Sequence, residues 1–215
     1  MPRTSSDVHE QMARDYLYAV LRENAPATIT PVAAFDESPL AGEGKVTVFS
    51  FEASLGGDPP EPYYVVAGQT VTNYYPQWGL DAEQIYSVHL GTRFMLVVEV
   101  RQVPLSELPP TLTTDLAEAL AGVLPGEPVT DIEPVCAFAA ETQKHAVCRA
   151  KIADEDVYVM GADLPLGIYR ETQLPPHVVY QWHLGNVIRM ERPLDEDETD
   201  EPQADDPAAD TDSPA

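Results

Sequence analysis

The chain has 215 residues, 44 % of them hydrophobic, which is enough for one large or two small domains and too apolar for a wholly disordered protein. Its formal net charge of −24 and pI of about 4.2 argue against nucleic acid or anionic membranes as partners and favour a basic or apolar protein or peptide, a cation or a neutral small molecule. No stretch approaches the roughly 20 apolar residues of a membrane span, residues 1–23 carry charges where a secretory leader would be apolar, and two cysteines make no disulfide framework, so a cytoplasmic location is expected.

In chain order, Val8, Met12, Tyr16, Leu17, Val20 and Leu21 recur at spacings of three and four. That spacing predicts a helix, capped by Ser6 or Asp7 and ended by Asn24-Ala25-Pro26. Strands are expected at about Ile29–Phe35, Val46–Ala53 and Tyr63–Gly68. Alternation in the second sets Phe49 and Phe51 on one face and Ser50 and Glu52 on the other. The intervals Asp36–Gly44 and Ser54–Pro62 are rich in Gly and Pro, as the loops of an antiparallel meander should be. TVTNYYPQWG, Thr70–Gly79, reads as a loop. A second helix starts at Leu80-Asp81-Ala82-Glu83-Gln84, where Asp81 can cap and Gln84 can complete a capping box. The apolar positions Leu90, Phe94, Val97 and Val98 carry this helix past Gly91; otherwise Gly91 caps it and Phe94–Val100 is a strand. Pro104–Pro110, PLSELPP, reads as a linker.

After the linker the order of signals begins again. IYSVHLG (Ile85–Gly91) returns as VYQWHLG (Val179–Gly185), 94 positions on, and the same offset pairs Tyr64 with Tyr158, Tyr75 with Tyr169 and Leu80 with Leu174. ITPVAAF (Ile29–Phe35) matches IEPVCAF (Ile132–Phe138) at an offset of 103, and Lys45 and Val48 match Lys144 and Val147 at 99. The offset drops only across the Gly/Pro-rich loops, which is the signature of duplicated structure. A glycine inside a helix costs on the order of 1 kcal/mol relative to alanine. Its occurrence at both 91 and 185 points to a close backbone approach.

The expected fold class is therefore α+β: a tandem duplication of an α-β-β-β-α unit, each a three-stranded antiparallel sheet with flanking helices, arranged as a fused pseudo-dimer. The expected divisions are a first repeat over 1–103, a linker over 104–111, a second repeat over 112–193 and an acidic, disordered tail over 194–215. That tail holds ten Asp or Glu and no Lys or Arg, which leaves about −14 on the body. The state expected is a monomer with an internal pseudo-dimer, or a weak homo-oligomer.

Three groups of residues could carry function. Tyr74, Tyr75 and Trp78, with Tyr63 and Tyr64 before them, exceed what the second copy has in the same place (LPLGIYRETQ), and surplus Tyr and Trp suit a contact surface. The alternative use of the same rings is to plug a sheet edge. His89 and His183, with Arg93, could line a cleft between the repeats, as ligands or acid–base groups; the simpler use is to satisfy backbone beside the glycines. Cys136, Cys148 and His145 match no zinc spacing, and the thiols read as small buried hydrophobes. No phosphate-binding GxxxxGK[ST], GxGxxG or GxSxG pattern occurs, and neither cofactor nor metal is expected. These features favour a non-enzymatic protein-interaction module over a small-ligand binder or enzyme using the His89/His183 cleft. The pattern of helices on short antiparallel sheets resembles, at the level of fold alone, small acidic bacterial chaperones of secretion and related adaptors. Acidity as an adaptation to salt or crowding is a third reading.

Overall fold

The computed structural model describes residues 5–36, 45–55, 58–68 and 71–190. In chain order they form α1 (Ser5–Leu21), β1 (Thr30–Asp36), β2 (Lys45–Ala53), β3 (Glu61–Ala67), β4 (Thr72–Pro76), α2 (Ala82–Val97), β5 (Arg101–Val103), α3 (Leu112–Val123), β6 (Val129–Ala140), β7 (Gln143–Ile152), β8 (Glu155–Ala162), β9 (Gly167–Tyr169) and α4 (Pro176–Met190). The fold is mixed α+β, with two antiparallel sheets of order β1-β2-β3-β4 and β5-β6-β7-β8-β9. The acidic stretch 194–215 and residues 37–44, expected from the sequence to be loop, lie outside the described residues. Among the described residues no helix is long and apolar enough to cross a membrane.

Each sheet is covered on both faces. Ala13, Leu17 and Leu21 of α1 pack on Phe49, Phe51, Tyr63 and Val65 of the first sheet. Leu112, Leu116 and Leu120 of α3 pack on Ala146, Cys148, Val157 and Val159 of the second. The opposite faces, with Val46, Val48 and Val66 on one side and Phe138, Val147 and Met160 on the other, close over α2 and α4, which share the central core. This two-sided burial explains why KVTVFSFEA reads as an almost continuous apolar run: residues 46 and 48 face one helix layer and 49 and 51 the other.

The local signals hold at the helix ends. Asp81 accepts from the Glu83 and Gln84 amides while the Gln84 side chain accepts from the Asp81 amide, so the capping box forms. The helix continues through Gly91 to Val97, and the strand expected as the alternative does not form.

The sheets are wider than the three strands expected of each unit. Thr72–Pro76, read as loop, is the fourth strand of the first sheet, and Gly167–Tyr169 is its short counterpart in the second. Asn, Pro and Gly make NYYPQWG look like a turn; pairing with β3, Tyr64 against Tyr75 and Val65 against Tyr74, makes it a strand. The fifth strand comes from residues 101–103, inside the expected first repeat, which pair with Ala137–Ala139 of β6 in the second sheet. The Pro-rich segment is packed too. Leu105–Glu107 forms a short 3₁₀ turn, Leu108 lies against the α3 core, and Glu107 pairs with Lys144 on β7.

Candidate functional site

Between the two sheets the backbones of α2 and α4 are in direct contact. A Cβ on Gly91 would stand 1.8 Å from the Gln181 carbonyl oxygen, and one on Gly185 would stand 1.8 Å from that of Ser87. Ser87 therefore meets Gly185 and Gly91 meets Gln181, so α2 and α4 run antiparallel at their closest approach. Arg189 ties the same crossing. It donates to Ser87 Oγ at 3.1 Å and Glu83 Oε1 at 2.7 Å, and its guanidinium lies 5.9 Å from the centre of the Tyr86 ring.

His89 sits two residues from both Ser87 and Gly91, so it points about 200° around the helix from them, away from α4 and toward the first sheet. By the same reasoning His183 points toward the second. Tyr75 OH lies 3.1 Å from His89 Nδ1, and Tyr169 OH lies 2.9 Å from His183 Nδ1. Both ring pairs are edge-on, at 89° and 88°. Burial, reinforced by the nearby Arg93 cation, holds His89 down at about 3. Burial lowers His183 to about 4, partly offset by the Pro165 carbonyl. Burial also lifts Tyr75 and Tyr169 to about 12. Each pair is thus a neutral hydrogen-bonded brace between a helix and the edge strand of its own sheet. Arg93 is buried one turn beyond His89 on α2. His89 and His183 do not meet in a cleft: the positions that face across the crossing are 87, 91, 181 and 185.

The aromatic residues divide between core and surface. Tyr63 is buried in the α1 core, its ring 5.5 Å from that of Phe51, and Tyr75 is buried in the central core. Neither is available as a contact surface. Tyr64, Tyr74 and Trp78 are half-buried along β3, the open edge β4 and the turn after it. Tyr74 lies 6.4 Å from Tyr16 and 6.0 Å from Tyr63. Asn73 organises the edge: its Oδ1 accepts from Tyr16 OH at 2.9 Å and from the Tyr74 amide at 2.9 Å, and its Nδ2 donates to Tyr75 OH at 3.2 Å. Trp78 occupies a left-handed turn position (φ 49°) ahead of Gly79 (φ 77°), and its ring lies 6.4 Å from Tyr75.

The cysteines lie on opposite faces of the second sheet, Cys136 in the central core and Cys148 in the α3 core. Burial raises both thiols, Cys148 to about 12, so neither is a ready nucleophile. Among the described residues no group of three His, Cys, Asp or Glu stands close enough to hold a metal ion. His145 instead places Nδ1 2.6 Å from Tyr180 OH, a pairing that the sequence did not reveal because its members are 35 positions apart. The sequence likewise gives no sign of the roles of Asn73 and Arg189; the repeated tyrosines at 75 and 169 are the signal that the histidines have fixed partners.

Comparison of the chain with protein-family models, with curated proteins and with solved structures returns no match. The arrangement of strands, helices and buried pairs is therefore the whole basis for a functional reading.

Proposed function

We propose that the protein is a cytoplasmic protein-binding module, chaperone- or adaptor-like, made by tandem duplication and acting as a monomer with an internal pseudo-dyad. Residues 1–103 and 112–193 are the two copies, with 101–103 lent to the second sheet. Several paired features support the duplication. The same β-bulge occurs between Pro31 and Ala33 and between Pro134 and Cys136, each pair 103 apart. Phe35 stacks on Tyr86 (4.5 Å, 2°) and Phe138 on Tyr180 (3.9 Å, 4°). The glycine contacts, Gly91 with Gln181 and Gly185 with Ser87, exchange under the offset of 94.

The observation that carries the binding reading is the open edge β4, which runs beside the half-buried rings of Tyr64, Tyr74 and Trp78. An extended segment can add to such an edge through backbone hydrogen bonds, with side chains taken by the flanking rings. The opposite edge, β1, is blunted by Pro31 and its bulge. A charge of −24 favours segments carrying Lys or Arg among apolar residues.

Selection from a displayed random-peptide library tests this. The full chain should enrich alternating apolar and basic sequences, and binding should fall at least tenfold in Tyr74→Ala and Trp78→Ala. No enrichment, or equal binding by these variants, would overturn it. The alternative of an enzyme or ligand cleft at His89, His183 and Arg93 has no comparable support, because the histidines are directed into separate sheets.

A further inference from the structure

The register of β4 fixes which of its backbone groups face outward. The Gln77 amide donates to the Pro62 carbonyl at 3.2 Å. Hydrogen-bonded pairs alternate with non-bonded ones along an antiparallel ladder. With Tyr75 opposite Tyr64 and Asn73 opposite Val66, residues 73, 75 and 77 turn their backbone groups toward β3. Thr72, Tyr74 and Pro76 therefore turn theirs outward, and among the described residues no strand pairs with that side.

Two of these three positions offer no amide to a partner. Pro76 has none. The Tyr74 amide donates to Asn73 Oδ1 at 2.9 Å. Asn73 is held there from both faces of the sheet. Tyr16 OH, on the α1 side, donates to the same Oδ1 at 2.9 Å, and Asn73 Nδ2 donates to Tyr75 OH, in the central core, at 3.2 Å. Its carboxamide thus lies across the edge. The fold does not require either residue: at the offset of 94 their equivalents are Gly167 and Arg170.

Backbone pairing at this edge is therefore one-sided. A partner's amides find acceptors at 72, 74 and 76, but its carbonyls find no donor at Pro76 and meet the Asn73 carboxamide at Tyr74. A side chain that only donates suits such an edge. Arginine has five N–H donors and no acceptor, and its flat cation stacks on aromatic rings. Tyr74 and Trp78 are half-buried beside the edge. Burial, then Glu61, Tyr74 and Asp58, raise the Tyr63 hydroxyl, which places two exposed carboxylates near a ring 6.0 Å from that of Tyr74. Successive outward carbonyls are two residues, about 7 Å, apart, and so are alternate side chains of an extended chain.

We propose that β4 binds an extended segment with arginine at alternate positions, whose guanidinium groups donate to the Thr72, Tyr74 and Pro76 carbonyls and stack on Tyr74 and Trp78. This rests on the reading of β4 as the binding edge and assigns the side chain that the edge selects.

The test is titration of the ¹⁵N-labelled full chain with four hexapeptides, acetylated and amidated: RVRVRV, KVKVKV, RVRVRV with citrulline in place of arginine, and TVTVTV. RVRVRV should shift the Thr72, Tyr74 and Gln77 amide resonances saturably. KVKVKV, of equal charge, should bind about fivefold or more weakly. The citrulline peptide and TVTVTV should bind about tenfold or more weakly than RVRVRV. Asn73→Gly frees the Tyr74 amide and should strengthen TVTVTV about fivefold, the worth of one neutral hydrogen bond. The proposal is overturned if KVKVKV matches RVRVRV, which would show attraction to acidity alone, if RVRVRV shifts other amides and not these, or if Asn73→Gly leaves TVTVTV unchanged. If TVTVTV matches RVRVRV in the wild type, the selection of arginine falls while β4 stands as the binding edge; if no peptide shifts the β4 amides, both fall. Should Asn73→Gly fail to fold, the ranking of the four peptides on the wild type decides alone.

Discussion

Gly91→Ala places a methyl carbon 1.8 Å from the Gln181 carbonyl oxygen, where a normal contact is about 3.4 Å or more. The obstacle is backbone in the middle of a helix and cannot rotate away. Relief requires α2 and α4 to part by roughly 1.5 Å, which loosens the central core shared by both sheets. Overpacking of this kind costs about 1–3 kcal/mol, occasionally more, and the gain of about 1 kcal/mol in helix propensity offsets part of it. With backbone as the obstacle, the net loss should be about 2 kcal/mol. For a folded region of this size that lowers Tm by about 4–8 °C. Gly185→Ala should cost a similar amount against the Ser87 carbonyl. Because one separation of the helices relieves both clashes, the double variant should cost less than the two singles together, by about 1 kcal/mol. Gly122→Ala on α3 is the control: it is exposed, a Cβ there meets nothing within 4 Å, and the change should be neutral or stabilise by up to about 1 kcal/mol. Equilibrium urea unfolding, followed by the fluorescence of Trp182 in the central core, measures all four. A Gly91→Ala loss below about 0.5 kcal/mol, or strict additivity in the double variant, would refute the account of the crossing.

Acid should destabilise the fold well above the pH at which carboxylates titrate. His89 and His183 titrate at about 3 and 4 in the folded chain, against about 6.5 unfolded, so below pH 6.5 the unfolded state takes up protons that the fold refuses. Stability is full above that pH and should fall by about 1.5–2 kcal/mol per histidine between pH 6.5 and 5; unfolding curves that stay level across this window would contradict the buried neutral pairs. Tyr169→Phe removes the hydroxyl held by His183 Nδ1 and approached by Asn186 Nδ2, and denaturation should report a loss of about 1–2 kcal/mol, with no loss counting against the brace. Cys136 and Cys148 should react with a thiol reagent such as DTNB only as fast as the chain opens and fully in denaturant; rapid labelling of the native protein would show that a thiol is accessible.

What could be read from the sequence is what neighbouring residues decide among themselves. The α1 helix, the Asp81–Gln84 capping box and the passage of α2 through Gly91 depend on residues three or four apart, and each forms; on α1, however, the buried face is His9, Ala13, Leu17 and Leu21, while Val8 and Val20 of the expected stripe are exposed. The paired glycines announced a close approach because a costly residue stood twice at one place in a repeated phrase. The strands β4, β5 and β9 were not legible, since a short strand exists only where a distant partner offers it hydrogen bonds, and 101–103 find theirs at 137–139. For the same reason the surplus tyrosines could not be sorted in advance: alternation sends Tyr63 and Tyr75 into different cores, and only the stacking of α1 and α2 on the two faces makes both of those cores. His145 looks from the sequence like one member of a cysteine cluster; the fold instead sets Tyr180 against its Nδ1, a neighbour that chain separation conceals and packing creates.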